Sequence, residues 1–362
     1  MSTRAGAGRH EAVPTDRRAR SWVWVGVAIA LVLGSAVLLT LVLKHSTRPG
    51  AVAEPVRAAP QVPRTASPPP SPAPETRADR WTTAALPGEV RKALAASTWP
   101  ALHPALRTLA VDGGRGTMCS HTSSETVASC TFGPAHAHHV AVVLGDDVAV
   151  SWLPGIRAAL EPRGWQVQAL TENRCPAPTI WVMAPGSTPG DDGDALTHAC
   201  ASHQEWAQSQ IERIRPDLVI MASGANTMER LATGAQGADA QQSWQSAVID
   251  SVNRWRAAAG AFVVLAPPPE GTDVRACSVA SPPKRCTFTV NNAWRRMAAA
   301  DRASANSAPV SYVDTGPWFC ADQRCPAFVD GTIVRSDGVH LTAQYARLLA
   351  PLLANALLPS RN

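Results

Sequence analysis

Short apolar runs of strand length alternate with longer amphipathic stretches from His139 to the end of the chain, and few folds accept that alternation. His139–Leu144 reads as a first buried strand. A second starts at Gly164-Trp165-Gln166-Val167, and Pro216–Met221, Ala261–Leu265 and Val310–Asp314 give a third, fourth and fifth. Between them lie stretches of helical period at Val150–Leu160, Ala201–Ile214, Ser243–Ala258 and Val290–Ala303, and a closing one runs from about Leu341 to Leu357. In the third of these, Val248, Val252 and Trp255 fall on one face. Strands separated by helices imply a mostly parallel sheet covered on both sides, and right-handed crossovers make it doubly wound. A five-stranded α/β sheet is therefore expected. Its site should lie outside the carboxyl ends of the strands, where Asp147 follows the first strand. Residues 87–110 read as one or two further helices, with Val90, Leu94, Leu102 and Leu106 as the apolar stripe.

The rest of the chain is organised around an apolar run. Trp22 to Leu43 carries no charge and, at ~1.5 Å per residue, can span a hydrocarbon core of roughly 30 Å. Arg4, Arg9, Arg17, Arg18 and Arg20 precede it, against Lys44 and Arg48 after it, which orients the N-terminus inward and the remainder outward. The rival reading is a cleaved signal peptide, for which Ala51-Val52-Ala53 offers a site. The run is longer than the ~7–15 residues of a signal core, and that site lies well past its end. The expected order is a cytoplasmic tail at 1–21, a transmembrane helix at 22–43, a Pro-rich extended spacer at 44–80, and an extracytoplasmic domain at 81–362. The eight cysteines suit an oxidising compartment. Many pairings are open to them; joining sequence neighbours is the simplest and closes only short loops. It pairs Cys119 with Cys130, Cys175 with Cys200, Cys277 with Cys286, and Cys320 with Cys325. The formal charge of +5 over 362 residues has no basic block with interleaved aromatics, so a nucleic-acid partner is not expected. No Cys-x-x-Cys pair suggests a zinc ribbon, and no cofactor is implied.

Two short motifs bring in chemistry. The first apolar strand ends in Gly145-Asp146-Asp147-Val148, and Asp337-Gly338-Val339-His340 stands near the other end. Between them come Trp152-x-Pro154, Arg174-Cys175-Pro176, Arg215-Pro216-Asp217-Leu218-Val219, Trp318-Phe319-Cys320 and Cys325-Pro326. In this order and spacing the chain resembles the SGNH (GDSL-like) hydrolase superfamily, most of all the SGNH domain fused to bacterial acyltransferase-3 membrane proteins. The resemblance covers roughly Leu102 to Leu357 and implies a flavodoxin-like sandwich. It also implies that His340 is the general base, oriented by Asp337, and that Gly224 and Asn226 of Ser223-Gly224-Ala225-Asn226 belong to the oxyanion hole. The family turn usually reads Gly-Asp-Ser-His. Here Asp147 stands where the serine nucleophile would be, and Val148 also departs.

Asp147 leaves several readings open. It is a replacement that cannot act as an alcohol nucleophile, a carboxylate nucleophile served by His340, or a cation ligand together with Asp146 and His340. A displaced nucleophile, Ser151, lies one helical turn on. Asp337 and His340 taken alone could simply cap the last helix. The run His136, His138, His139 is expected to be a solvated loop rather than a metal site. The twelve tryptophans fit core and membrane-belt positions, and Glu205 and Glu229 lack the paired-carboxylate pattern of a glycosidase. Two function classes follow from the resemblance. One is an acyl esterase or O-acyltransferase for cell-surface glycans or lipids, with catalysis weakened or lost at Asp147. The other is a non-catalytic glycan-binding domain, or a partner domain for a separately encoded membrane acyltransferase.

Overall fold

The strands pair because their apolar residues need cover on both faces. In the computed structural model, which describes residues 81–109, 119–189, 194–277 and 279–358, ten strands occur among the described residues. They are β1 (Thr131–Phe132), β2 (His139–Gly145), β3 (Trp165–Thr171), β4 (Leu218–Ala222), β5 (Ala261–Leu265), β6 (Phe288–Thr289), β7 (Ser311–Val313), β8 (Arg324–Cys325), β9 (Phe328–Val329) and β10 (Thr332–Ile333). The main sheet has the order β1-β3-β2-β4-β5-β7. β3, β2, β4, β5 and β7 run parallel, in the positions of the five expected strands. The sixth strand corrects the count: β1 adds an antiparallel edge through Thr131 opposite Gln168. A two-residue strand carries no readable alternation. β9–β10 and β6–β8 form two small ribbons outside this sheet.

Alternate strand residues feed two cores. Val143, Ile220 and Leu265 face one, with the helices Asp147–Leu160, Ala343–Leu348 and Ala350–Leu357. Val142, Met221 and Val264 face the other, with the helices Ala195–Ile214, Gly237–Trp255 and Asn292–Ala305. The sheet is thus doubly wound. Gly155 lets the first core close: a Cβ there would lie 2.4 Å from the Ala346 carbonyl oxygen of the facing helix.

Two expected helices are shorter than the sequence suggested. The N-terminal one runs Leu86–Ala95, and Val90 is buried in the first core. Pro100 and Pro104 then forbid its continuation. Leu102 and Leu106 pack instead against a separate small cluster with Ile333. The closing helix is interrupted at Leu349, because Pro351 lacks an N–H and its ring crowds the preceding turn. The four disulfides are Cys119–Cys130, Cys175–Cys200, Cys277–Cys286 and Cys320–Cys325. Among the described residues no helix is long and apolar enough to cross a membrane. The tail at 1–21, the run at 22–43 and the spacer at 44–80 lie outside the described residues.

Candidate functional site

Position 147 is set by the residues before it. Gly145 ends β2 with φ +139°, and a Cβ there would overlap the Ala222 carbonyl at 1.7 Å, so only glycine lets β2 leave the sheet here. Asp146 is the N-cap of the helix Asp147–Leu160. Its Oδ1 accepts the Val148 N–H at 2.9 Å and its Oδ2 accepts the Gly224 N–H at 2.8 Å. This cap starts the helix at Asp147 rather than Val150, and it ties the turn after β2 to the turn after β4. Asp146 is 2% exposed; burial and the neighbouring Asp147 raise its carboxyl above the usual range. Asp147 occupies the first helical turn, where the helix dipole favours negative charge.

The partner arrives from the far end of the chain. Asp337 opens the turn before the last helices, and its Oδ1 accepts the Val339 N–H at 2.7 Å and the His340 N–H at 2.8 Å. Its Oδ2 accepts from His340 Nδ1 at 2.8 Å. His340 Nε2 then lies 3.4 Å from Asp147 Oδ2, an ion-pair distance without the alignment of a good hydrogen bond. Asp337 therefore does more than cap. Burial pulls the His340 imidazole down, yet its contacts with Asp147 and Asp337 and their charges outweigh burial and push it up to about 9. Burial pushes the Asp337 carboxyl up, but the His340 ring and amide bring it down to about 2. An imidazolium held between two carboxylates has no lone pair with which to take a proton.

The expected oxyanion pair is only partly in place. The Gly224 N–H is already given to Asp146, so it is not free to meet an oxyanion. Asn226 is exposed beside it: a methyl on Gly224 would lie 3.4 Å from both Asn226 Oδ1 and Asp146 Oδ2. The cation-ligand reading of Asp146, Asp147 and His340 is not built, since both Asp146 oxygens serve backbone amides. No group of three such side chains is arranged to hold a metal ion among the described residues. Ser151 is buried and donates its hydroxyl to the Val148 carbonyl at 2.7 Å inside the helix. The histidine run lies at the opposite end of β2, where His139 stacks on Trp165 and pairs with Asp217.

Three neighbours carry no sequence signal. Glu270, after β5, accepts the Asn226 N–H at 3.1 Å, and burial raises its carboxyl. Arg230 donates to the carbonyls of Met183 and Arg174; burial lowers its guanidinium, while Asp146 and Asp147 oppose that. Arg335 is buried and gives Nη1 to the Pro269 carbonyl at 3.1 Å while its guanidinium lies over Phe288. It joins the Glu270 loop to the Asp337 turn. Each becomes visible only when distant loops are brought together.

Similarity to known proteins agrees with this architecture. The periplasmic domain of the lipopolysaccharide acetyltransferase of Salmonella ser. Paratyphi A superposes with a TM-score of 0.53 at 16% identity, over 67% of this chain and 92% of that one. An acetyl-xylooligosaccharide esterase from Geobacillus stearothermophilus gives a TM-score of 0.37 at 13% identity, over 64% and 99%. No curated protein matches the sequence. Residues 118–355 match the family described as the SGNH domain fused to AT3 domains. That match takes in the β2 turn, the β4 turn and the Asp337–His340 turn together, and the chain belongs to this SGNH family.

Proposed function

We propose that the chain is a membrane-anchored, extracytoplasmic SGNH domain that engages acylated cell-surface glycans or lipids, with its ester chemistry weakened or lost at Asp147. The observation that carries the reading is the His340 Nε2 to Asp147 Oδ2 ion pair at 3.4 Å. Base and orienter stand as an acyl-transfer site needs them, but the group they face is an acid. Loss of the serine from such a triad costs about a million-fold in turnover. The anchor rests on the apolar run 22–43 and its arginine bias, and the outward placement on the four disulfides. The match to the SGNH domain fused to AT3 domains and the fold shared with the lipopolysaccharide acetyltransferase domain suggest the substrate class of the proposal.

The test is hydrolysis of short-chain acyl esters by the wild type, Asp147→Ser, and Asp147→Ser combined with His340→Ala. Turnover should be near background in the wild type, rise in Asp147→Ser, and fall again in the double variant. Strong wild-type turnover that needs Asp147 would mean a carboxylate nucleophile instead. A folded Asp147→Ser protein without any gain leaves the second reading, a non-catalytic glycan-binding domain or a partner of a membrane acyltransferase. The engaged Gly224 N–H favours that second reading, because it removes one donor from the oxyanion hole.

A further inference from the structure

A second concavity lies at the same carboxyl end of the sheet, walled by the segments that follow β3 and β4 and by two helices. It is an open groove of about 730 Å³. That is the size of a small-molecule site rather than a packing defect. Its walls differ in chemistry. One carries Ile180, Leu231 and Trp181, and Trp181 is 62% exposed; Val279 is the only other large hydrophobic so exposed among the described residues. The other wall is the helix Gly237–Trp255, which presents Ser243, Ser246 and Asp250 along one face.

The exposed indole is not on a loose loop. The Trp181 carbonyl accepts the Ala232 N–H at 3.0 Å, Val182 bridges Leu231, and the Met183 N–H donates to the Arg230 carbonyl at 2.8 Å. A ladder of backbone hydrogen bonds thus holds a large apolar face in water at the rim of a groove. The same ladder ends at Arg230, whose guanidinium donates to the Met183 and Arg174 carbonyls.

We propose that this groove is a subsite for a ribbon-like, β-linked oligosaccharide, with one sugar ring stacked on Trp181 and its hydroxyls met by Ser243, Ser246 and Asp250. The proposal rests on the reading of the chain as a glycan-engaging domain. A pyranose in such a ribbon has a C–H face and a hydroxyl edge. The C–H face matches an indole, and the edge needs hydroxyls that both give and accept and a carboxylate that accepts. An acyl chain would leave Asp250 and the serines unmatched across the groove.

The experiment is titration of the full-length chain with chitopentaose, xylopentaose and cellopentaose, followed by tryptophan fluorescence and calorimetry, with the curved chain maltopentaose as comparison. Saturable binding of at least one ribbon-like chain is expected. Trp181→Ala and the groove-filling Ser246→Trp should each weaken it about ten-fold or more, which is ~1.4 kcal/mol. Circular dichroism should be unchanged in both, since both positions are exposed. Absence of saturable binding to all three, or binding that survives both substitutions, overturns the subsite. Asp147→Ser is titrated and assayed for ester turnover in parallel. Binding without any gain of turnover would sink the ester reading and leave the groove standing, whereas turnover without binding would do the reverse.

Discussion

Replacing a hydroxyl by a carboxylate at position 147 changes the charge state of its neighbour. A serine beside His340 leaves the ring neutral and basic, but Asp147 completes a carboxylate–imidazolium–carboxylate row, with His340 up at about 9. Titration of the His340 ring by NMR should find it protonated at neutral pH. Asp147→Asn should lower its pKa by about 1–3 units, the usual influence of one close opposite charge. A ring that titrates near its ordinary value of 6.5 in the wild type would refute the row. The sign of the linkage follows. A histidine raised in the folded state contributes stability that is complete below 6.5 and is lost as pH rises through about 9. Asp301 adds to the trend from the other side. It is 2% exposed, has Trp244 Nε1–H as its donor at 2.8 Å, and burial raises it to about 7. An acid raised on folding costs stability as pH climbs from its ordinary 3.8 towards that value. Asp301→Asn should therefore melt above the wild type at pH 8, with the gap closing near pH 4. A gap that widens on acidification would contradict the assignment.

Helices and strands are held by contacts that the sequence records unevenly. Gly155 carries a close one between two helices of the first core, and Gly155→Ala should cost about 1–3 kcal/mol in chemical denaturation, because the clash is with the Ala346 backbone. A neutral effect would mean that the two helices can part. The parallel strands β2, β3, β4 and β5 were legible from their apolar runs because most of their residues are buried, while β7, at the edge, is only partly covered. Asp337 and His340 were legible because three residues of turn carry the whole orienting bond. The hidden features depend on partners distant in sequence. β1 is two residues long and exists only as an edge of β3. The closing helix reads as continuous until Pro351 is placed against its preceding turn. Gly224 looks like an oxyanion donor until Asp146, far earlier in the chain, takes its N–H. Trp181 looked like core or membrane belt, and its exposure emerged only from the fold.

On the scale of the whole molecule, four short covalent loops brace the described part of the chain, spanning 11, 25, 9 and 5 residues of sequence. Each such loop contributes on the order of 2–4 kcal/mol. Reduction under native conditions should lower the melting temperature by many degrees, and non-reducing peptide mapping should recover neighbour-paired fragments; bridges between distant cysteines would refute the pairing. Reporters fused to either end test the anchor. A periplasm-type reporter should be active at the C-terminus and inactive at the N-terminus, and the reverse result would remove the argument for export as well. Asp146 holds the Val148 and Gly224 amides, and Gly145 fits against Ala222, so the turn keeps its shape without help from the side chain at 147. The backbone therefore presents a seat whose path does not depend on its occupant, and a change of side chain there is felt in the charge of His340 rather than in the course of the chain.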